Sequence, residues 1–499
     1  MKSVNLSLAA LSLLILFGLG GISVHAQVAG KLFTVNHNGD SIDAIPGDRI
    51  CADADGQCTL RAAIQESNTA ERDVIIFSMP WPAVISLTLG ELSVTANFTS
   101  IVGPGARRLA VQRSSAQGTP NFRIFHIPNS DTSIVIRGLS IKNGRAANGL
   151  SGGGIKVAAG STLNLTDVSM TENVAQNGGG IANDGTLNVT RSLIDSNSAN
   201  INGAAIINTS GSVARITNST ITGGAALVGG AIHNNGDLLL VNNTISHNFA
   251  VNNASSMFSG PNGSVRLLNT IVANDISPTA ASLQGSFMSL GNNFIADARG
   301  SSGFTNGVNN DQVSDNNAIN PLLGDLINNG GQTDTRALMN ASPAINTGNS
   351  CVRTADCSIT PPIRLSTDQR TGYNRMVGSS VDIGSFEFGA SQSSSSISFG
   401  IFTGFGRRAG YMGSIAILTD VITNEKRYSS VRPFGSFGFQ NLSPEVYILE
   451  IKSKRAGNSL GPSVFALDDF ISFTPFLPTD LYPDSSLVIK ERETGDHPK

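Results

Sequence analysis

Charged and aromatic side chains are scarce in this sequence. Asp, Glu, Lys and Arg make up 14% of it, aromatic residues make up 6%, and Trp81 is the single tryptophan. The formal net charge is -3, which argues against a nucleic-acid-binding surface because such a surface would be basic. Gly, Asn, Ser and Thr are abundant instead, and they suit tight turns and exposed strands rather than amphipathic helices. The composition therefore predicts an all-β protein without a nucleic-acid partner.

Long hydrophobic runs are missing except at the N-terminus. There, Lys2 precedes an apolar stretch from Leu6 to Gly21, and Val24-His25-Ala26 is small or apolar at the positions that a signal peptidase reads. The stretch is shorter than the roughly 20 residues of a membrane-spanning helix. We therefore predict a signal peptide at residues 1–26, cleaved near Ala26, rather than an uncleaved anchor. The processed chain is then secreted and is not an integral membrane protein.

Cysteine is also rare, and its four positions form two local groups, Cys51 with Cys58 and Cys351 with Cys357. Four cysteines allow three connectivities, but export to an oxidising compartment favours disulfides, and pairing of neighbours closes two short loops. Neither group has the CxxC spacing of a zinc site or a nearby histidine. We predict two local disulfides, no metal site and no cofactor.

The middle of the chain repeats with about 25 residues per unit. A Gly-rich turn followed by an apolar residue marks each unit, and a second apolar position closes it, so two markers share one period. No unit shows the leucine consensus or the helical segment of a leucine-rich repeat. Short alternating pieces separated by turn residues instead predict β coils that stack at about 4.8 Å. The first marker comprises Ile155, Ile181, Ile206, Ile232 and Met257, and the second comprises Met170, Ile194, Ile221, Ile245 and Ile271.

Asparagine recurs in register with these units. Asn tolerates left-handed backbone, and stacked amides can hydrogen-bond to their copies above and below. We predict structural ladders rather than a binding role for them. One ladder comprises Asn183, Asn208 and Asn234, and another comprises Asn173, Asn197, Asn248 and Asn274 with one coil skipped.

The first coil of such a stack needs a cap, because an exposed edge would recruit other strands. The segment from Thr59 to Asn68 has helical spacing of apolar residues and begins with a Thr cap. A short helix tethered by Cys51 and Cys58 is therefore predicted to close the N-terminal end.

Two sets of motifs resemble known families. The run Cys58-Thr59-Leu60-Arg61-Ala62-Ala63-Ile64 resembles the CSLREA domain of secreted bacterial proteins, with departures at Thr59 and Ala62. Pieces from Gly291-Asn292-Asn293-Phe294-Ile295 through Asp368-Gln369-Arg370 to Asp382-Ile383-Gly384 resemble the choice-of-anchor Q domain. The resemblance implies a pectate-lyase-like, right-handed parallel β-helix on an exported bacterial protein. It implies little about chemistry, because fold does not carry function.

A change of composition follows the Ser-rich stretch 391–396. The run from Phe437 to Tyr447 is similar to carboxypeptidase-regulatory-like β-sandwiches, with Glu445 where that family usually has Gly. The predicted order is a signal peptide at 1–26, a cap at 27–73, coils at 74–290, a choice-of-anchor Q-like part of the helix at 291–389, a linker at 390–396, a small β-sandwich at 397–480 and a polar tail at 481–499.

The best candidate for catalysis is a charged cluster on adjacent coils. Asp167 aligns with Arg191 one coil further on, and Glu172 and Asp195 follow nearby. An Arg near carboxylates could bind an acidic sugar, while the carboxylates act as acid and base. The alternative, which we favour, is an outward-pointing salt bridge between coils, worth little to stability. His247 has no partner in sequence and is predicted to be a solvated turn residue.

Two functions remain open. Flat solvent faces of stacked coils suit extended polymers, and outer positions hold mainly Asn, Ser and Thr. We therefore predict a non-catalytic scaffold at the cell surface or in the medium that binds glycans or a cell-envelope component, or that mediates adhesion. A polysaccharide lyase or glycoside hydrolase is the alternative.

Overall fold

The structure is a computed structural model, and the residues that it describes do not cover the whole chain. The signal-peptide prediction lies outside these residues, apart from Ser23 and Val24. The described residues are 23–24, 30–147, 149–277, 281–315, 319–392, 395–403, 415–420, 425–430, 436–442, 446–452, 460–466, 473–474 and 485–491.

The predicted parallel β-helix is confirmed. Strands of successive coils pair in parallel, mostly in direct register but with register shifts on the third face, and they build four faces, which we number in the order in which the chain visits them within a coil. The first face comprises Leu32–Val35, Val74–Phe77, Ser100–Val102, Ser133–Arg137, Thr162–Thr166, Thr186–Thr190, Val213–Thr217, Asp237–Val241, Ser264–Leu268 and Met288–Gly291. The second face comprises Ala83–Leu87, Leu109–Arg113, Ser140–Lys142, Ser169–Thr171, Leu193–Asp195, Thr220–Thr222, Thr244–Ser246, Ile271–Ala273, Phe294–Ile295 and Gln312–Val313.

The other two faces are shorter. The third face comprises Val174–Asn177, Ser198–Asn202, Ala225–Val228 and Phe249–Asn253. The fourth face comprises Leu92–Ser93, Phe125–Ile127, Ile155–Val157, Ile181–Asn183, Ile206–Asn208, Ile232–Asn234, Met257–Ser259, Leu283–Ser286 and Ser301–Ser302.

Alternation of side chains gives the helix its core. On the first face, Leu163, Leu187, Ala214 and Leu238 lie directly opposite one another on successive strands, and all are fully buried. Stacked aliphatic columns of this kind remove apolar surface from water in every coil. The turn between the third and fourth faces needs glycine. A Cβ atom on Gly178, whose φ is 59°, would lie 2.3 Å from the carbonyl oxygen of Ile181.

A helix from Leu60–Ser67 lies at the N-terminal end, where a cap was predicted. Thr59 is its N-cap, and the hydroxyl of Thr59 accepts a hydrogen bond from the Ala62 backbone N–H at 3.1 Å. Leu60 and Ile64 belong to the same buried cluster as Phe33 and the coil residues. The helix thus extends the core beyond the first strands.

The parallel coils end within the predicted 291–389 region, at Gln312–Val313. Residues 319–392, which we call the covering segment, then return along the outside of the helix. Outward apolar residues of the first and second faces explain this path, because they need cover: Leu239 and Val241 pack with Val352, and Ile271 packs with Ile383. The covering segment contains an antiparallel hairpin, Leu323–Ile327 with Thr335–Leu338, and a short helix, Cys351–Thr354; a 3₁₀ turn, Val308–Asn310, precedes it.

The C-terminal region contains two antiparallel sheets. The strand Ser485–Glu491 lies within the stretch predicted to be a polar tail at 481–499, and it pairs with Ser395–Thr403 in one of these sheets. The first sheet comprises Ser23–Val24, Ser485–Glu491, Ser395–Thr403 and Ser436–Leu442; the second comprises Lys426–Ser430, Ile415–Asp420, Val446–Lys452, Leu460–Ala466 and Phe473–Thr474.

Both predicted disulfides are present, Cys51 with Cys58 and Cys351 with Cys357. Such bonds are consistent with an oxidising compartment. Among the described residues, no helix is long and apolar enough to cross a bilayer.

Candidate functional site

The predicted pair of Asp167 and Arg191 forms, but it lies inside the protein. Arg191 Nε is 3.0 Å from Asp167 Oδ1 and Arg191 Nη2 is 3.1 Å from Asp167 Oδ2, while the side chains are only 1% and 4% exposed. Arg137, one coil earlier, adds a contact at 3.3 Å. The expected outward position is therefore wrong for both residues. The covering segment buries them: Thr371 donates a hydrogen bond to Asp167 at 2.9 Å.

The pair belongs to a longer row, which we call the docking ladder. Each member follows a first-face strand, has positive φ, and turns its side chain toward the covering segment. Asn218 Nδ2 donates to the Thr367 carbonyl at 2.7 Å, for example. The polar row therefore holds the covering segment in place. The docking ladder comprises Asp167, Arg191, Asn218, Asn242, Asn269 and Asn292.

Electrostatics agree with a structural role for this pair. Burial would raise the pKa of Asp167, but the guanidinium groups of Arg191 and Arg137 outweigh burial and lower it. Asp167 is thus held as a carboxylate, enclosed by its partners. A proton donor for an external substrate needs the opposite properties, namely access and a raised pKa.

Asp195, the third predicted residue, lies apart from that pair. It is half-buried at the end of a second-face strand, beside a turn whose equivalent positions hold the exposed residues Glu172 one coil earlier and His247 two coils later. The Asp195 carboxylate accepts a hydrogen bond from Ser196 at 3.0 Å. A Cβ atom on Gly223, one coil further on, would lie 2.7 Å from Asp195 Oδ1, so glycine leaves room for the carboxylate.

The hairpin of the covering segment brings a second charged group to this turn. Arg336 Nε and Nη2 each donate to Thr222 Oγ1 at 3.3 Å, which places the guanidinium beside Asp195 and His247. Asp325, on the same hairpin, raises the pKa of Arg336. Asp334, directly before the second strand of the hairpin, raises the pKa of Asp195. We call this set the hairpin cleft: Glu172, Asp195, His247, Asp325, Asp334 and Arg336.

Burial shifts the pKa of Asp195 and of Arg336 in the hairpin cleft. Burial raises the pKa of Asp195, Asp334 and Glu172 add to this, and Arg336 opposes it. Burial also lowers the pKa of Arg336, while Asp195 and Asp325 oppose this. A half-buried acid with a raised pKa is suited to proton transfer, so this cleft is the better candidate for chemistry. Sequence reasoning missed Arg336, because it lies 114 residues from Thr222 and outside the repeats.

The third face presents a different kind of surface. Each of its strands buries one alanine, such as Ala199 and Ala226, and three of the four strands also carry an exposed apolar residue. Ile201 is 36%, Leu227 37% and Val251 40% exposed at near-equivalent positions of three successive strands, and Phe249, which pairs with Ala225, is 40% exposed at the start of the last strand. Exposed apolar residues that lie in a row mark interaction surfaces more often than scattered ones do.

The predicted asparagine ladder is present and internal. Asn183 Nδ2 donates to Asn208 Oδ1 at 2.8 Å, and Asn208 Nδ2 donates to Asn234 Oδ1 at 2.7 Å. All three side chains also bond to backbone of their own or neighbouring turns. Their donors and acceptors are thus used within the protein, as the structural interpretation predicts.

The second asparagine row needs one correction. Asn173 donates to Asn197 at 3.0 Å as predicted, but Asn248 donates to Asp275 rather than to Asn274. The register pairs Ser246 with Ala273, so Asn274 stands opposite His247 in the exposed turn. Burial raises the pKa of Asp275 to about 7, and a protonated acid in this place resembles the amide that it replaces.

The motif pieces in the covering segment form a buried charge network. Arg370 Nη2 is 2.6 Å from Asp368 Oδ2, and the Arg370 guanidinium lies 3.7 Å from the Phe386 ring centroid. Glu387 accepts backbone N–H groups of Val377 and Asp382 at 2.8 and 3.0 Å. These contacts hold turns of the covering segment together, so a structural role accounts for the buried charges.

Three carboxylates in the N-terminal cap are close enough together to be considered as metal ligands. The carboxylates of Asp43, Asp48 and Glu66 have oxygens within 4.8 Å of one another. Glu66 accepts the backbone N–H groups of Gly47 and Arg49 at 2.6 and 2.5 Å, however. These acids fasten a loop to the end of the cap helix, and no metal role is assigned to them.

Comparison with known proteins gives one similarity. No family model and no curated protein matches the chain, so the CSLREA and choice-of-anchor Q resemblances stay predictions. Among solved structures, the chain is similar to the crystal structure of pectate lyase Pel9A, with 12% identity and a TM-score of 0.42. The match covers 72% of this chain and 97% of that chain. A similarity of this size gives no basis for transferring an activity.

Proposed function

We propose that this protein is a secreted or cell-surface β-helix scaffold that binds an extended glycan without degrading it. The observation that carries the proposal is the row of exposed apolar side chains on successive strands of the third face. A ligand with a repeating structure can contact equivalent positions of one coil after another. Short strands at a constant spacing are suited to such a ligand, and a compact small molecule would use only one level.

The buried pair of Asp167 and Arg191 supports the absence of catalysis. It was the strongest catalytic candidate in sequence, and its side chains are 4% and 1% exposed beneath the covering segment. A substrate cannot reach it without displacement of that segment. The two disulfides and the predicted signal peptide support export.

A polysaccharide panel tests the proposal. Purified protein is mixed with soluble polysaccharides, and both retention and new reducing or unsaturated ends are measured. We expect retention of at least one glycan with no new ends above a buffer control. If no glycan is retained from the whole panel, the proposal fails.

A lyase or hydrolase remains the second candidate function because of the hairpin cleft. Asp195, whose pKa is raised by burial, would serve as the acid, and Arg336 would bind an anionic group of the substrate. Asp195→Ala should then abolish turnover by orders of magnitude while binding persists. Asp237→Ala, a change of an exposed carboxylate on the first face, is the matched control.

A further inference from the structure

The third face carries no charged side chain on any of its four strands. Charge lies beside it, since Glu172 and His247 precede two of these strands, and Arg145 forms the bridge that bounds the face at its N-terminal end. The four strands are Val174–Asn177, Ser198–Asn202, Ala225–Val228 and Phe249–Asn253. Within the four strands an acidic polymer would lose hydration and gain no ion pair, although Arg145 lies at the N-terminal end of the face.

Apolar side chains and amides share three of the four strands, while Ala225–Val228 carries apolar side chains alone. Ile201 and Leu227 are exposed, and next to them Asn202 Nδ2 donates to Asn177 Oδ1 at 3.0 Å. Each amide offers both donors and acceptors, so it can form hydrogen bonds with hydroxyl groups that donate and with hydroxyl groups that accept. Apolar side chains and the Phe249 ring suit the C–H faces of sugar rings. This combination matches a ligand that is rich in hydroxyl groups and has no charge.

The spacing of the strands specifies how such a ligand lies. Coils of a parallel β-helix advance by about 4.8 Å along the axis. This rise is close to the length of one residue in an extended β-linked glycan. A bridge between Phe249 and Ile276 adds one further level at the C-terminal end, where Ile276 is 63% exposed.

From these observations we infer that the third face binds a neutral, extended, β-linked polysaccharide along the helix axis, with one sugar per coil. The inference rests on the proposed function and names its ligand class and its surface. The hairpin cleft, with its charged groups, lies outside this surface.

A series of neutral β-linked oligosaccharides of increasing length, titrated into the full-length protein by calorimetry, tests the inference. We expect Kd to fall with each added sugar up to about five sugars, one per coil, and then to level off. Affinity should not change between low and high salt, because no ion pair forms. Leu227→Asp should weaken binding of the longest oligosaccharide at least tenfold, and Phe249→Ser should do the same without adding a charge.

Asn188→Asp on the first face is the control and should leave binding unchanged. Salt-sensitive binding of acidic polysaccharides that Leu227→Asp does not alter would overturn the inference while leaving the scaffold function intact. Neutral binding that does not depend on length, or that survives both third-face changes, would also overturn it. Absence of binding to any glycan would overturn the proposed function itself.

Discussion

Replacement of Arg191 by methionine tests whether the covering segment is part of the folded unit. The change keeps side-chain length but removes the charge that faces Asp167, which is 4% exposed and accepts two guanidinium N–H groups at 3.0 and 3.1 Å. Loss of one partner of a buried pair costs about 3–5 kcal/mol. Arg137 still contacts Asp167 at 3.3 Å, so we expect a loss near the lower end, about 3 kcal/mol.

A matched control exists on the first face. Arg266 and Asp237 also join neighbouring coils, with Arg266 Nη2 2.9 Å from Asp237 Oδ2, but their side chains are 25% and 39% exposed. Arg266→Met should therefore cost less than about 1 kcal/mol. Both variants are compared with the wild type by urea unfolding followed by circular dichroism. Equal, small effects of the two changes would refute a buried position for Arg191.

Three further predictions use other parts of the chain. Asn208→Ala should cost about 3 kcal/mol in urea unfolding, because it leaves amide groups of Asn183 and Asn234 without their partners, whereas Asn164→Ala on a half-buried position should cost under about 1 kcal/mol. Burial raises the pKa of Glu387 to about 8, while Arg375 opposes this shift and Asp382 adds to it. The native state therefore keeps a proton that the unfolded chain releases, so the free energy of unfolding should fall as pH rises from about 5 to 9. Glu387→Gln should flatten that pH dependence. Limited proteolysis should cut near residues 390–397 and leave two resistant fragments; cutting first inside 155–271 would contradict independent folding of the C-terminal region.

The repeat made the β-helix and the Asn183, Asn208 and Asn234 ladder predictable, because both depend on contacts one coil apart. A period of about 25 residues places each residue against its copy in the next coil. The same reasoning aligned Asp167 with Arg191 correctly. It misplaced Asn274, because a shift of one residue in the last coils puts Asp275 opposite Asn248.

Burial of the charged pair could not be predicted from the repeat. Thr371, which bonds to Arg191, lies 180 residues further along the chain, and Arg336 lies 114 residues from Thr222. Such contacts depend on the return path of the covering segment, which has no period of its own. The outward apolar residues Val241 and Phe294 were the available sign of a covering segment, because apolar side chains are rarely left in a row on a face that is open to water.

Simultaneous measurement of binding and bond cleavage tests the central claim most directly. Wild-type protein is incubated with each polysaccharide of the panel, and the same sample is assayed for retained glycan and for new reducing or unsaturated ends. We predict retention of a neutral β-linked glycan with no increase in chain ends over many hours. Chain ends that accumulate with the wild type and disappear with Asp195→Ala, but not with Asp237→Ala, would show instead that the protein is an enzyme acting through the hairpin cleft.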